Sequence, residues 1–114
     1  MVFKDLWQRD IVVVRKAMEK LNGIVKNTTK TRAPVAQHGG LVAIIKAMME
    51  FQDDEAIQFL CCDTLGVLAS EPETKSFIDE MNIIPLISNS MIGHPNSQRI
   101  QTAARDLVAL IHSY

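Results

Sequence analysis

Apolar positions recur at helical spacing along the chain. Between Asp54 and Ala69 they fall at Ile57, Leu60, Cys61, Thr64, Leu65 and Leu68, counting two small residues with the apolar ones. Steps of three and four place all six on one face of an α-helix. Between Ser97 and Ile111 the same steps return at Ile100, Ala103, Ala104, Leu107, Val108 and Ile111, about 43 residues later. The correspondence extends upstream. Leu41, Ile44 and Met48 match Ile84, Ile87 and Met91, Val35 matches Ile78, Thr31-Arg32 matches Thr74-Lys75, and Gly39 matches Asn82. The pattern predicts one unit used twice: a short helix, a turn, a second helix, a loop and a longer third helix. No segment alternates with a period of two, so no strand is expected.

Turn chemistry agrees with this layout. Gly39 and Asn82 are the residue types that best tolerate a positive φ at a helix end. Pro34, Pro72 and Pro85 fall in predicted first turns, where a missing N–H costs nothing. The loops at Gln52-Asp53-Asp54 and Gly93-His94-Pro95-Asn96 are polar and supply N-cap residues to the third helices.

The N-terminal third holds a partial copy. Val13, Ala17, Leu21 and Ile24 repeat the third-helix steps at a shift of about 44 residues. Lys16 and Lys20 then occupy positions that pack on a neighbour in the later copies, as in a polar terminal cap. A second stripe, Trp7, Ile11, Val14, Met18, Leu21 and Val25, runs at heptad-like spacing. It either covers the stack or also meets a second chain, which makes Trp7, Ile11, Val14 and Met18 candidates for self-association.

The stretch GGLVAIIKAMMEFQDDEAIQFLCCDTLGVLASEPETKSFIDEMNIIPLI resembles an armadillo repeat, the three-helix unit of catenins and importin α. HEAT repeats are the near alternative, and the Gly-preceded second helix favours the armadillo form. The resemblance implies an all-α, right-handed α-solenoid of about two and a third three-helix repeats. Residues 1–26 would form the partial repeat, 31–70 and 72–112 the full ones, within a single domain, 1–114. It further implies a concave groove lined by the third helices. Where importin α shows its groove a Trp, this chain has Glu19, Asp63 and Asp106; where it shows an Asn, this chain has Gly23, Val67 and Leu110. Nuclear-localisation peptides are therefore not the expected ligand. The three acids instead imply an acidic row, with Phe59 one turn before Asp63 as an anchor for a Lys or Arg stem.

Composition narrows the function. The chain has 114 residues, 47% of them hydrophobic and 5% aromatic, so its core must be mostly aliphatic. Net charge is −1, without the basic footprint of a nucleic-acid binder. No apolar run reaches the length of a membrane span, and Met1-Val2-Phe3-Lys4-Asp5 does not read as a secretory signal. Adjacent Cys61 and Cys62 are poor disulfide partners and fit a reducing compartment, cytoplasmic or nuclear. Asn27-Thr28-Thr29 matches a glycosylation acceptor that this location would leave unused.

The remaining polar residues spell no catalytic or metal-binding signature. His38, His94 and His112 fall in different elements, and there is no Cys-x-x-Cys, phosphate loop or nucleophile elbow. Asp53-Asp54-Glu55 lacks the Gly and closing Glu of a calcium loop and reads as helix capping. Cys61 reads as core, and Cys62, aligned with Arg105, as more exposed. The expectation is a non-enzymatic scaffold without catalytic residues, metal or cofactor. It would bind another protein, a basic extended segment, along the third-helix face. The alternative is a structural piece that self-associates end to end or through its N-terminal helix.

Overall fold

The computed structural model describes residues 3–113, and within them the chain is all-α. A turn of 3-10 helix, Lys4–Trp7, precedes α1 (Ile11–Asn27), and another, Thr29–Thr31, leads into α2 (Arg32–Gln37). α3 (Gly40–Glu50), α4 (Glu55–Ala69), α5 (Pro72–Glu80), α6 (Ile84–Gly93) and α7 (Gln98–His112) follow. The three longest helices form a row, with α4 packed most extensively against α7 on one side and α1 on the other. α3 packs on α4, α6 on α7, and α2 against α5. No strand occurs among the described residues.

The elements start and stop where their residues dictate. Asp54 and Ser97 cap α4 and α7, accepting from the N–H groups of Ile57 and Ile100 at 2.8 and 3.2 Å. Asp10 caps α1 through Val12 N–H at 2.9 Å. Pro72 and Pro85 sit at the starts of α5 and α6. Gly39 and Asn82 have φ of 91° and 49°, the only positive values among the described residues. Gly40 answers a second constraint: a Cβ there would collide with the Val35 carbonyl and side chain, so α2 and α3 meet as closely as they do only over a glycine.

Further polar contacts recur 43 residues apart. Gln58 Nε2 donates to the carbonyls of Met48 and Phe51 at 3.1 and 3.0 Å. Gln101 Nε2 donates to those of Met91 and His94 at 2.9 and 3.1 Å. Each glutamine thus satisfies carbonyls that α3 or α6 leaves open at its C-terminal end. Thr31 and Thr74 likewise donate to carbonyls at the end of the preceding long helix.

The buried face of α1 corrects the alignment of its partial copy. The residues turned into the core are Val14, Met18, Leu21 and Val25, whereas Val13, Ala17 and Ile24 are half-buried. They correspond to Ile57, Cys61, Thr64 and Leu68 in α4 and to Ile100, Ala104, Leu107 and Ile111 in α7, at a constant offset of 43. The heptad-like stripe is therefore the inward one. Val14 and Met18, candidates for self-association, have no exposed surface and serve the chain's own core. Cys62 corrects a second expectation. It is fully buried, because α7 and Ser90 of α6 cover the side of α4 that on α7 is exposed and carries Arg105.

Candidate interaction groove

The long helices carry the predicted site residues on different surfaces. Asp63 and Asp106 share one groove, between α4 and α7, floored by Gly66, Val67, Ala103 and Leu110 and closed at one side by Arg32 and Ser70. Its floor is apolar and partly open, because Gly66 and Ala103 are too small to fill the space between the helices. Glu19 lies outside it. In the corrected alignment Glu19 matches Cys62 and Arg105, and the residue matching Asp63 and Asp106 is Lys20. The acidic row thus has two members.

Those two members differ electrostatically. Asp63 accepts a hydrogen bond from Asn22 Nδ2 at 3.0 Å and pairs with Lys26 Nζ at 2.5 Å. Asn22 also donates to Thr64 Oγ1 at 3.0 Å, so the Asp63 carboxylate closes a polar network that fastens α1 to α4. Its charge is already balanced within the chain. Asp106 is exposed and has no hydrogen-bond or ion-pair partner among the described residues. The positions 43 residues after Asn22 and Lys26 hold Leu65 and Ala69, which carry no polar group to reach it.

Phe59 is half-buried and already engaged. The Arg99 guanidinium of α7 lies 4.4 Å from its ring centroid. Arg99 is held by two hydrogen bonds to Glu55, at 2.5 and 2.8 Å, and Ser97 Oγ donates to the same carboxylate at 2.7 Å. The Arg99 hydrogen bonds, stronger than the opposing effect of burial, bring the Glu55 carboxyl down to about 2. A basic side chain does rest on Phe59, but it comes from this chain. Phe59 and Arg99 join the starts of α4 and α7 and leave the groove floor without an aromatic anchor.

Asp54, His94 and the two cysteines are engaged within the fold. Asp54 caps α4 and accepts from Arg15 Nη2 at 2.7 Å; burial raises its pKa, but Arg15 and the Ile57 N–H outweigh that and leave it lowered. His94 Nε2 donates to the Gln52 carbonyl at 2.8 Å and ties two loops together. Burial pushes the Cys61 thiol well up, and takes that of Cys62 to about 12, so both are protonated at neutral pH. No cluster of three metal-ligating side chains occurs among the described residues, and none of their helices is long and apolar enough to cross a membrane.

Two features escaped the sequence reading. Val67 and Leu110 entered it only as departures from an asparagine ladder, yet they floor the groove. The charge distribution was also visible and unused. Residues 3–32 carry eight Lys or Arg against three Asp or Glu, whereas residues 33–113 carry four against ten. A net charge near zero conceals a basic N-terminal segment and an acidic remainder. No protein-family model matches the chain, and no curated protein or solved structure matches it significantly.

Proposed function

We propose that this chain is a non-enzymatic protein-interaction module of armadillo type, and that a basic, extended segment of a partner lies along the α4–α7 groove. The observation that carries this reading is the groove itself. Its floor of Val67 and Leu110, with Gly66 and Ala103 between the helices, offers apolar contact to an extended backbone. Asp106 stands at its wall with an unbalanced charge. Excess acid over residues 33–113 favours a cationic ligand. The recurrence of Gln58 with Gln101 and Gly39 with Asn82 supports a stacked-repeat origin, in which the faces of successive third helices form one surface.

Affinity in such a groove comes from buried apolar contact, with charge adding about 0.2–1 kcal/mol per exposed pair. The test uses fluorescent dodecapeptides carrying lysine at every third position, with anisotropy read at low and high salt. Wild-type protein should bind, more weakly at high salt. Asp106→Lys and Leu110→Glu should each reduce binding, and Glu19→Lys should not. Equal binding by all four proteins would remove the groove from consideration.

A further inference from the structure

Three of the six large apolar side chains exposed among the described residues gather on one side of α3. Trp7 is 46% exposed, Val42 49% and Met49 55%. Val42, Ile45 and Met49 follow one another at helical steps along α3, and with Trp7 they line a shallow hollow. Ile11 adjoins it, sharing the next hollow with Met49 and Glu50. Two charges line the Trp7–α3 hollow itself. Lys46 Nζ sits 5.2 Å from the Trp7 ring centroid and 2.5 Å from Glu50 Oε2. The surface lies away from the α4–α7 groove, whose lining shares none of these residues.

We infer that this patch is an isologous dimer interface, in which the Trp7–α3 face of one copy packs on the same face of a second copy. The patch is self-complementary in charge around an apolar centre. A twofold interface must be complementary to itself, so each charge in it needs an opposite charge on the same patch. Lys46 and Glu50 meet that condition. Packed across a twofold axis, each lysine can exchange its own Glu50 for the other copy's at little net cost, while Trp7, Val42, Ile45 and Met49 leave water. A patch meant for a cationic or an anionic partner would carry one sign of charge. Large aromatic and methionine side chains also suit the centre of an interface. Of the four residues whose spacing suggested self-association, Trp7 and Ile11 remain available for it, joined by the α3 residues.

The arrangement permits a test that an unrelated association would fail. Lys46→Glu gives a copy with acids at both positions; Glu50→Lys gives one with lysine at both. Each alone repels its own kind across the twofold axis, whereas an equal mixture restores both opposite pairs. By sedimentation equilibrium, wild-type protein should show a concentration-dependent monomer–dimer equilibrium. Each single variant should dimerise about tenfold more weakly or worse. The equimolar mixture should recover dimer near the wild-type level, and Val42→Lys, at an exposed position, should abolish it. Far-ultraviolet circular dichroism confirms that each variant is folded. Wild-type protein that stays monomeric at millimolar concentration overturns the inference. So does a dimer that survives the single substitutions, or a mixture that pairs no better than its components.

Discussion

Replacing Gln58 and Gln101 in turn by leucine measures how strongly burial amplifies one hydrogen-bond arrangement. Both side chains bridge two carbonyls with nearly the same geometry. Gln58 is 2% exposed, and its Oε1 also accepts from the Ser90 hydroxyl on α6; Gln101 is half-buried and has no such third partner among the described residues. Leucine at position 58 strands the Met48 carbonyl in the interior and leaves the Ser90 hydroxyl only the weak acceptor Cys62 Sγ. The Phe51 carbonyl keeps the Asp54 N–H as a donor at 3.1 Å. A stranded buried polar group costs about 1–3 kcal/mol. With compensation from added apolar volume, the loss at 58 should be about 2–3 kcal/mol. At 101, water can reach the freed carbonyls, and the loss should be about 1 kcal/mol. For a chain of this size those losses lower Tm by roughly 10 °C and roughly 4 °C. Adding Ser90→Ala to Gln58→Leu removes that poorly satisfied hydroxyl and should restore up to about 1 kcal/mol. Urea unfolding followed by circular dichroism reads all four proteins. Equal losses at 58 and 101, within about 0.5 kcal/mol, would refute the argument, as would a double variant less stable than Gln58→Leu.

Leu65→Ala empties a fully buried site and should cost about 3–4 kcal/mol, whereas half-buried Val108→Ala should cost about 1 kcal/mol; denaturant midpoints will separate them. Glu55 has its folded pKa depressed to about 2, so its contribution is present above the unfolded value near 4.5 and is lost as pH falls towards 2. Partial exposure holds that contribution to about 1 kcal/mol or less, and Glu55→Gln should flatten the acid limb of a stability–pH curve accordingly. The buried, protonated thiols of Cys61 and Cys62 should resist an aromatic disulfide reagent in the native state and both react in denaturant; rapid labelling of Cys62 in folded protein would contradict its packing under α6 and α7.

Much of the fold was legible because α4 and α7 each offer one apolar face and an unambiguous cap, and because Gly39 and Asn82 punctuate equivalent turns. α1 was harder for a physical reason. Val12, Val13 and Val14 run together, and Ala17, Met18, Leu21, Ile24 and Val25 follow, so two overlapping stripes satisfy the helical period equally well. Periodicity cannot choose between them. The neighbours choose, with α4 taking the Val14 stripe and the 3-10 turn at Lys4–Trp7 covering part of the other. That one-residue ambiguity moved the position matched to Asp63 from Lys20 to Glu19, and so added an acid to the row. The engagement of Asp63 by Asn22 and Lys26, and of Phe59 by Arg99, joins residues about 40 positions apart, which no local pattern encodes.

The proposed ligand site is tested most directly by titrating isotope-labelled protein with a lysine-bearing extended peptide and following backbone amide resonances. Binding along the α4–α7 groove should shift the amides of Gly66, Val67, Ala103, Asp106 and Leu110 progressively, and leave those around Val42 and Met49 in place. Shifts confined to other surfaces, or none at millimolar peptide, would contradict it.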